Sequence, residues 1–172
     1  MAGSTSAPPD DVPRPVERTI ASIAEQVEAI DAIVDRARSR LRVFDVDLSQ
    51  GGWHTADRAE RLVAFLRRAH GPRVEVIVHD TRWLAQSCPR LITVLRLYGH
   101  AITVYRTGPE ARNATDPLVI GDDRHFLHRF HVDGPRAALA FDSPIAARPL
   151  VARFEEIWAT GEPGLSGTVL GL

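Results

Sequence analysis

The stretch PLVIGDDRHFLHRFHVDGPRAALAFDSP, Pro117 to Pro144, decides how this chain is read. Two short apolar-bearing runs, 117–121 and 125–131, flank Asp122-Asp123-Arg124, a triplet with the chemistry of a tight turn. Arg136 to Phe141 (RAALAF) is a further strand, and Asp142-Ser143-Pro144 caps a closing helix. On that helix Ala146, Leu150, Phe154 and Trp158 recur at every fourth residue, which is the spacing of one helical face. The segment therefore predicts strand, turn, strand, strand, helix.

Upstream the pattern is different. Leu41 to Leu48 (LRVFDVDL) reads as a strand closed by Ser49-Gln50-Gly51-Gly52, and Thr55 caps a helix striped by Ala59, Leu62, Val63, Leu66 and Ala69. Arg73 to His79 alternates as a second strand. A third helix starts at Asp80 or Thr81 and runs to Tyr98, with Gly99 as its terminator, before a strand over Ala101 to Arg106. Strand, helix, strand, helix, strand favours parallel pairing with right-handed crossovers. The alternation stops in the polar loop Gly108 to Asp116. Before all of this, from about Pro15, Ile20, Ile23, Val27, Ile30, Val34, Ala37 and Leu41 are spaced alternately by three and four, predicting a long amphipathic helix that lies on its own domain or pairs with a second subunit.

At 172 residues, 44% hydrophobic and 25% charged, the chain fits one globular domain. The boundaries expected are a disordered N-terminus over 1–13, one α/β domain over 14–160 and a tail over 161–172, whose Val169, Leu170 and Leu172 suggest packing back. Twenty-one basic against 22 acidic residues leave a net charge of −1, so there is no global field for a polyanion and nucleic acid is not expected as a partner. All the basic residues are arginine, which removes lysine Schiff bases, lysine general bases and a phosphate-loop lysine. A single cysteine excludes an internal disulfide and Cys-rich zinc sites, pointing to a reducing compartment, the cytoplasm. Cys88, among Leu84, Leu91 and Ile92, reads as a small buried apolar residue. No apolar run is long enough to span a bilayer.

Several residues have the chemistry of a site. His125, His128 and His131 fall within seven residues, but on a strand His128 faces away from the other two and the three cannot share an ion, so no metal and no cofactor is expected. Asp45, Asp47, His79 and Asp80 fall at strand ends, where open α/β sheets place ligands. Gly51-Gly52 opens a helix, a setting that can hold an anion.

The final third resembles one half of the phospholipase D superfamily: a strand ending in Asp122, a second strand, a strand closing in the Asp142-Ser143-Pro144 turn, then a helix carrying Phe154 and Trp158. In that family a motif H-x-K-x-x-x-x-D, followed by a Gly-Ser pair, supplies a histidine nucleophile, a lysine for the phosphate and an aspartate. Anchored on Asp122, the lysine position is Pro117, the histidine position Thr115, and the Gly-Ser pair falls near Arg129-Phe130. Only the aspartate matches. The resemblance implies an α/β fold with a mixed sheet flanked by helices, and a homodimer, because single halves of this family pair. With nucleophile and phosphate cation both lost, it implies a non-catalytic binding or interaction domain. Its ligand-binding candidates are Arg124, Arg129, His79 and Asp80. Asp122, Arg124, His125 and Arg129 are expected to line a pocket for a small anion or a phosphate-bearing ligand, and a protein partner is the other possibility.

Two alternatives stand beside it. One is a divergent phosphodiesterase or nuclease whose catalytic candidates are Asp122, His125 and His128. The other is a flavodoxin-like regulator with a parallel five-stranded sheet.

Overall fold

The computed structural model describes residues 16–166. The expected disordered segment 1–13 and the apolar residues 169–172 of the tail lie outside the described residues.

The chain runs β1 (Val16–Ile20), α1 (Ile23–Arg36), β2 (Arg40–Asp45), α2 (Ala56–Leu66), β3 (Arg73–Val78), α3 (Arg82–Ser87), α4 (Pro89–Leu97), β4 (Ile102–Arg106), a 3-10 turn at Pro109–Ala111, β5 (Leu118–Gly121), β6 (His125–Arg129), β7 (Ala137–Phe141), α5 (Pro144–Ala159) and β8 (Glu162–Leu165). All eight strands form one sheet in the order β1-β7-β6-β5-β2-β3-β4-β8. The β2, β3 and β4 strands are parallel, as the strand–helix alternation predicts, and every other pairing is antiparallel. The flavodoxin-like alternative fails on this topology. After β4 the chain crosses to the far side of β2 and returns as the β5–β6–β7 meander, so the sheet is mixed and eight-stranded.

The sheet separates two cores. Val43, Val76, Val78 and Leu127 point to the face covered by α1, α2 and α4, while Phe44, Ile77, Ile120 and Phe126 point to the face covered by α5. With both faces covered, apolar residues of both parities are buried, Leu41, Val43 and Phe44 on β2 and Val74, Val76, Ile77 and Val78 on β3.

Three boundaries differ from the sequence reading. The alternating three-and-four series is spread over three elements: Ile20 ends β1, Leu41 belongs to β2, and only Ile23–Arg36 is helical. Ser22 stops the helix from reaching further back. Its side chain accepts the Glu25 N–H, and Glu25 returns the bond to the Ser22 N–H at 3.1 Å, a complete capping box. The helix expected to reach Tyr98 is two helices, because Pro89 has no N–H to donate and starts α4 afresh after Cys88. The sheet also extends past residue 160, since β8 pairs antiparallel with β4. Among the described residues no helix is long and apolar enough to cross a membrane.

Candidate functional site

Parallel strands all end at the same edge, and β5, running the other way, starts there. This edge therefore gathers the ends of β2 and β3, Thr115 to Pro117 before β5, and the end of β6. The Val46 carbonyl accepts the N–H groups of both His79 and Asp80 at 3.0 Å, locking the loop after β2 to the loop after β3.

Asp45, Asp47, His79 and Asp80 are thus brought to one edge, but not to one face. Asp45 continues the Val43 side, above α1. His79 continues the Ile77 side and meets the Phe44 ring edge-on at 5.4 Å. Its Nε2 donates to the Ala114 carbonyl at 2.7 Å, and its Nδ1 bonds the Thr107 hydroxyl at 2.6 Å, so both ring nitrogens are committed. Asp80 accepts from Arg82, whose guanidinium holds its pKa down to about 2. Asp47 accepts the Ser49 N–H at 2.9 Å.

The expected pocket of Asp122, Arg124, His125 and Arg129 is not assembled. His125 and Arg129 stand at opposite ends of β6, about 13 Å apart at ~3.3 Å per residue. Asp122 sits at positive φ in the turn before β6, where it accepts the backbone N–H groups of Arg38, Ser39 and Arg40 at 2.7, 2.9 and 3.0 Å. Burial opposes its ionisation, yet those N–H donors outweigh burial and lower its pKa. The one motif residue that survives is occupied in joining the α1–β2 connection to the hairpin. Arg124 is half-exposed and lies 3.7 Å from Asp142. His125 is buried, its Nδ1 accepts the Asp142 N–H at 3.0 Å, and burial lowers its pKa. His128 points to the other face and bonds Asp116 Oδ2 at 2.9 Å; Asp116 in turn pairs with Arg153. The bare spacing on a strand correctly separates His125 from His128. Among the described residues no three His, Cys, Asp or Glu side chains gather as metal ligands.

Arg129 ends β6 at this edge. It is 5% exposed, and its guanidinium donates at 2.6 Å to the Gly134 carbonyl, the Val132 carbonyl and Gln50 Oε1. The first two bonds fold the 130–136 connection back over the edge; the third ties it to the loop after β2. Val132 N–H donates to the Thr115 carbonyl at 2.7 Å, and Gln26 Nε2 on α1 donates to the Pro135 carbonyl at 2.5 Å. What space is left is a cavity of about 20 Å3, lined by Gln26, Asp45, Gln50, Gly51, Pro117 and Arg129 among others. Burial, the largest effect, together with the neighbouring Asp47 pushes the Asp45 pKa up to about 6, against the Val46 N–H and the Arg129 charge, which lower it. Gln26 and Gln50 were not candidates from sequence, and Arg129 was one in the wrong pocket. The available signal was parity: Arg129 shares the buried face of Leu127 on β6, and an arginine there must find partners inside.

Residues 22–166 match the family model described as a domain of unknown function, DUF7931. The chain belongs to that family. No curated protein is detectably similar in sequence. Among solved structures, this DUF7931 domain is similar to Nuc from Salmonella typhimurium, a phospholipase D family member, with a TM-score of 0.63 and 15% identity over 89% of this chain and 100% of that one. It is similar to NucT from Helicobacter pylori, with a TM-score of 0.59 and 12% identity over 88% of this chain and 100% of that one. TrmBL2, an archaeal chromatin protein, gives a TM-score of 0.65 and 11% identity over 91% of this chain and 56% of that one. At such identities the likeness is one of fold. The DUF7931 domain has a phospholipase-D-like fold.

Proposed function

We propose that this domain is a binding module with a closed phospholipase-D-like cleft and does not hydrolyse phosphodiesters. The observation that carries this reading is Arg129, buried at the position where the resemblance places a Gly-Ser pair, with three donors turned inward onto Gln50, Val132 and Gly134. A cation that stabilises a transferring phosphoryl group must have donors aimed at the substrate. The motif positions add Thr115 and Pro117, neither of which supplies a histidine nucleophile or a lysine charge. His125 and His128, the histidines of the phosphodiesterase alternative, face opposite sides of β6 and are each held by a neighbouring group. Binding then falls to the exterior of this edge, where Phe130 is about half exposed, and a second copy of the chain is the partner proposed.

Hydrolysis of bis(4-nitrophenyl) phosphate, with and without divalent metals, tests the catalytic half of this reading. The expected result is no turnover above the buffer rate. Turnover that disappears in His125→Ala or His128→Ala overturns it. Sedimentation velocity tests the partner, and a 19 kDa monomer at tens of micromolar removes the homodimer.

A further inference from the structure

Asp45 and Arg129 share the floor of the closed cleft without pairing. Asp45 Oδ1 accepts the Val46 N–H at 2.6 Å. Arg129 lies near enough to act on that carboxyl electrostatically, yet its described bonds go to Gln50, Val132 and Gly134. Of the other groups around the shared cavity, Gln26 from α1 and Gln50 from the loop after β2 are neutral, and β3 presents Val78 opposite Asp45. The remaining charge acting on Asp45 is Asp47. Among the described residues, the positive group acting on an ionised Asp45 is Arg129, which also bonds the 130–136 connection.

We propose that Asp45 is a proton-operated latch on the cleft: protonated, it leaves Arg129 bonded to Gln50, Val132 and Gly134; ionised, it draws the guanidinium toward itself and releases the 130–136 segment. Attraction between unlike charges in a poorly solvated site exceeds that between a charge and a carbonyl dipole, so the carboxylate competes for Arg129 and the neutral acid does not. Burial raises the Asp45 pKa to about 6, which puts the transition near neutrality. The inference rests on the reading of the cleft as closed by Arg129 and adds how that closure is regulated.

Amide hydrogen exchange at Val132, corrected for the intrinsic pH dependence of exchange, is the test. Between pH 5 and pH 7.5 its protection should fall by about tenfold or more, one pH unit of raised pKa corresponding to a factor of ten. In Asp45→Asn, which cannot ionise, protection should stay at the pH 5 level throughout. Other ionisable side chains lie within the segment, His131 and Asp133, or beside it, His128 and Asp116. His131→Gln and His128→Gln should therefore retain the wild-type drop. The latch is overturned by constant protection in the wild type, by an undiminished drop in Asp45→Asn, or by loss of the drop in either histidine variant. Carbon-13 titration of the Asp45 carboxyl gives a check that needs no variant, a midpoint near 6 supporting the latch and one near 4 overturning it. Phosphodiester turnover would sink the closed-module reading by a separate measurement, whereas failure of the exchange test alone removes the latch and leaves the closed cleft intact.

Discussion

Arg129 Nη1 donates to Gln50 Oε1 at 2.6 Å across 79 residues of chain, and this bond joins the loop after β2 to the connection after β6. Removing either partner has unequal consequences. Arg129→Ala leaves two carbonyls and an amide without their donor and should cost about 3 kcal/mol, in the range of losing a buried charged hydrogen-bonding group. Gln50→Ala, at an exposed residue, should cost about 1 kcal/mol. Urea unfolding of both variants at constant m-value checks the order; equal effects would show that Arg129 contributes no more than one surface bond.

Asp122 predicts a second stability effect with a definite pH sign. Asp122→Ala removes the acceptor of three backbone N–H groups and puts alanine at φ 51°, and should cost about 3 kcal/mol. Asp122→Asn keeps one acceptor and tolerates the backbone, so it should cost less. Because the folded pKa lies below the unfolded one, the Asp122 contribution is full above pH ~4 and is lost as pH falls through the folded value. The gap between wild type and Asp122→Ala in urea should accordingly narrow from pH 7 to pH 3.

Asp45 has the opposite sign. Its folded pKa of about 6 lies above the ordinary 3.8, so the folded state holds its proton more tightly and loses stability as pH rises from about 4 to 6. Above that window the loss is constant, at most about 3 kcal/mol for a carboxyl raised from 3.8 to about 6. Asp45→Asn should therefore be more stable than wild type at pH 7.5 and no more stable at pH 4. Thermal melts at the two values check this, and a variant less stable at pH 7.5 would contradict it.

Cys88 is fully buried, and burial raises its thiol pKa to about 11. Reaction with a disulfide reagent at pH 8 should be limited by opening of the α3–α4 junction, and 6 M urea should accelerate it by at least a hundredfold. Rapid modification of the native protein would place Cys88 at the surface.

The β2–α2–β3 and β5–β6–β7 segments are legible in sequence because each carries its own local signals: the Thr55 cap, the alternation of Val74, Val76 and Val78, and the Asp122-Asp123 turn with both residues at positive φ. The β1 strand was hidden because Ile20 and Leu41 continue the spacing of the helix between them by coincidence. The β8 strand was hidden because Glu162-Pro163-Gly164-Leu165 has the composition of a turn and becomes a strand only beside β4. The same limit governs the site. Strand ends placed Asp45 and His79 at the right edge, but the faces they take depend on where each strand stops. The partners of Arg129 are set by tertiary folding, with Gln50 and Gln26 arriving from distant elements. Asp122 was read through its motif position, and its local task of bonding residues 38–40 has no signature within the hairpin.

The closure of the cleft is tested most directly by the Arg129 Nε–H resonance in nitrogen-15 spectra at pH 5.5. Its bond to the Gly134 carbonyl at 2.6 Å predicts solvent exchange at least tenfold slower than for the exposed Arg148. An Arg129 Nε–H that exchanges as fast as Arg148 would mean that the guanidinium faces solvent and that the cleft is open.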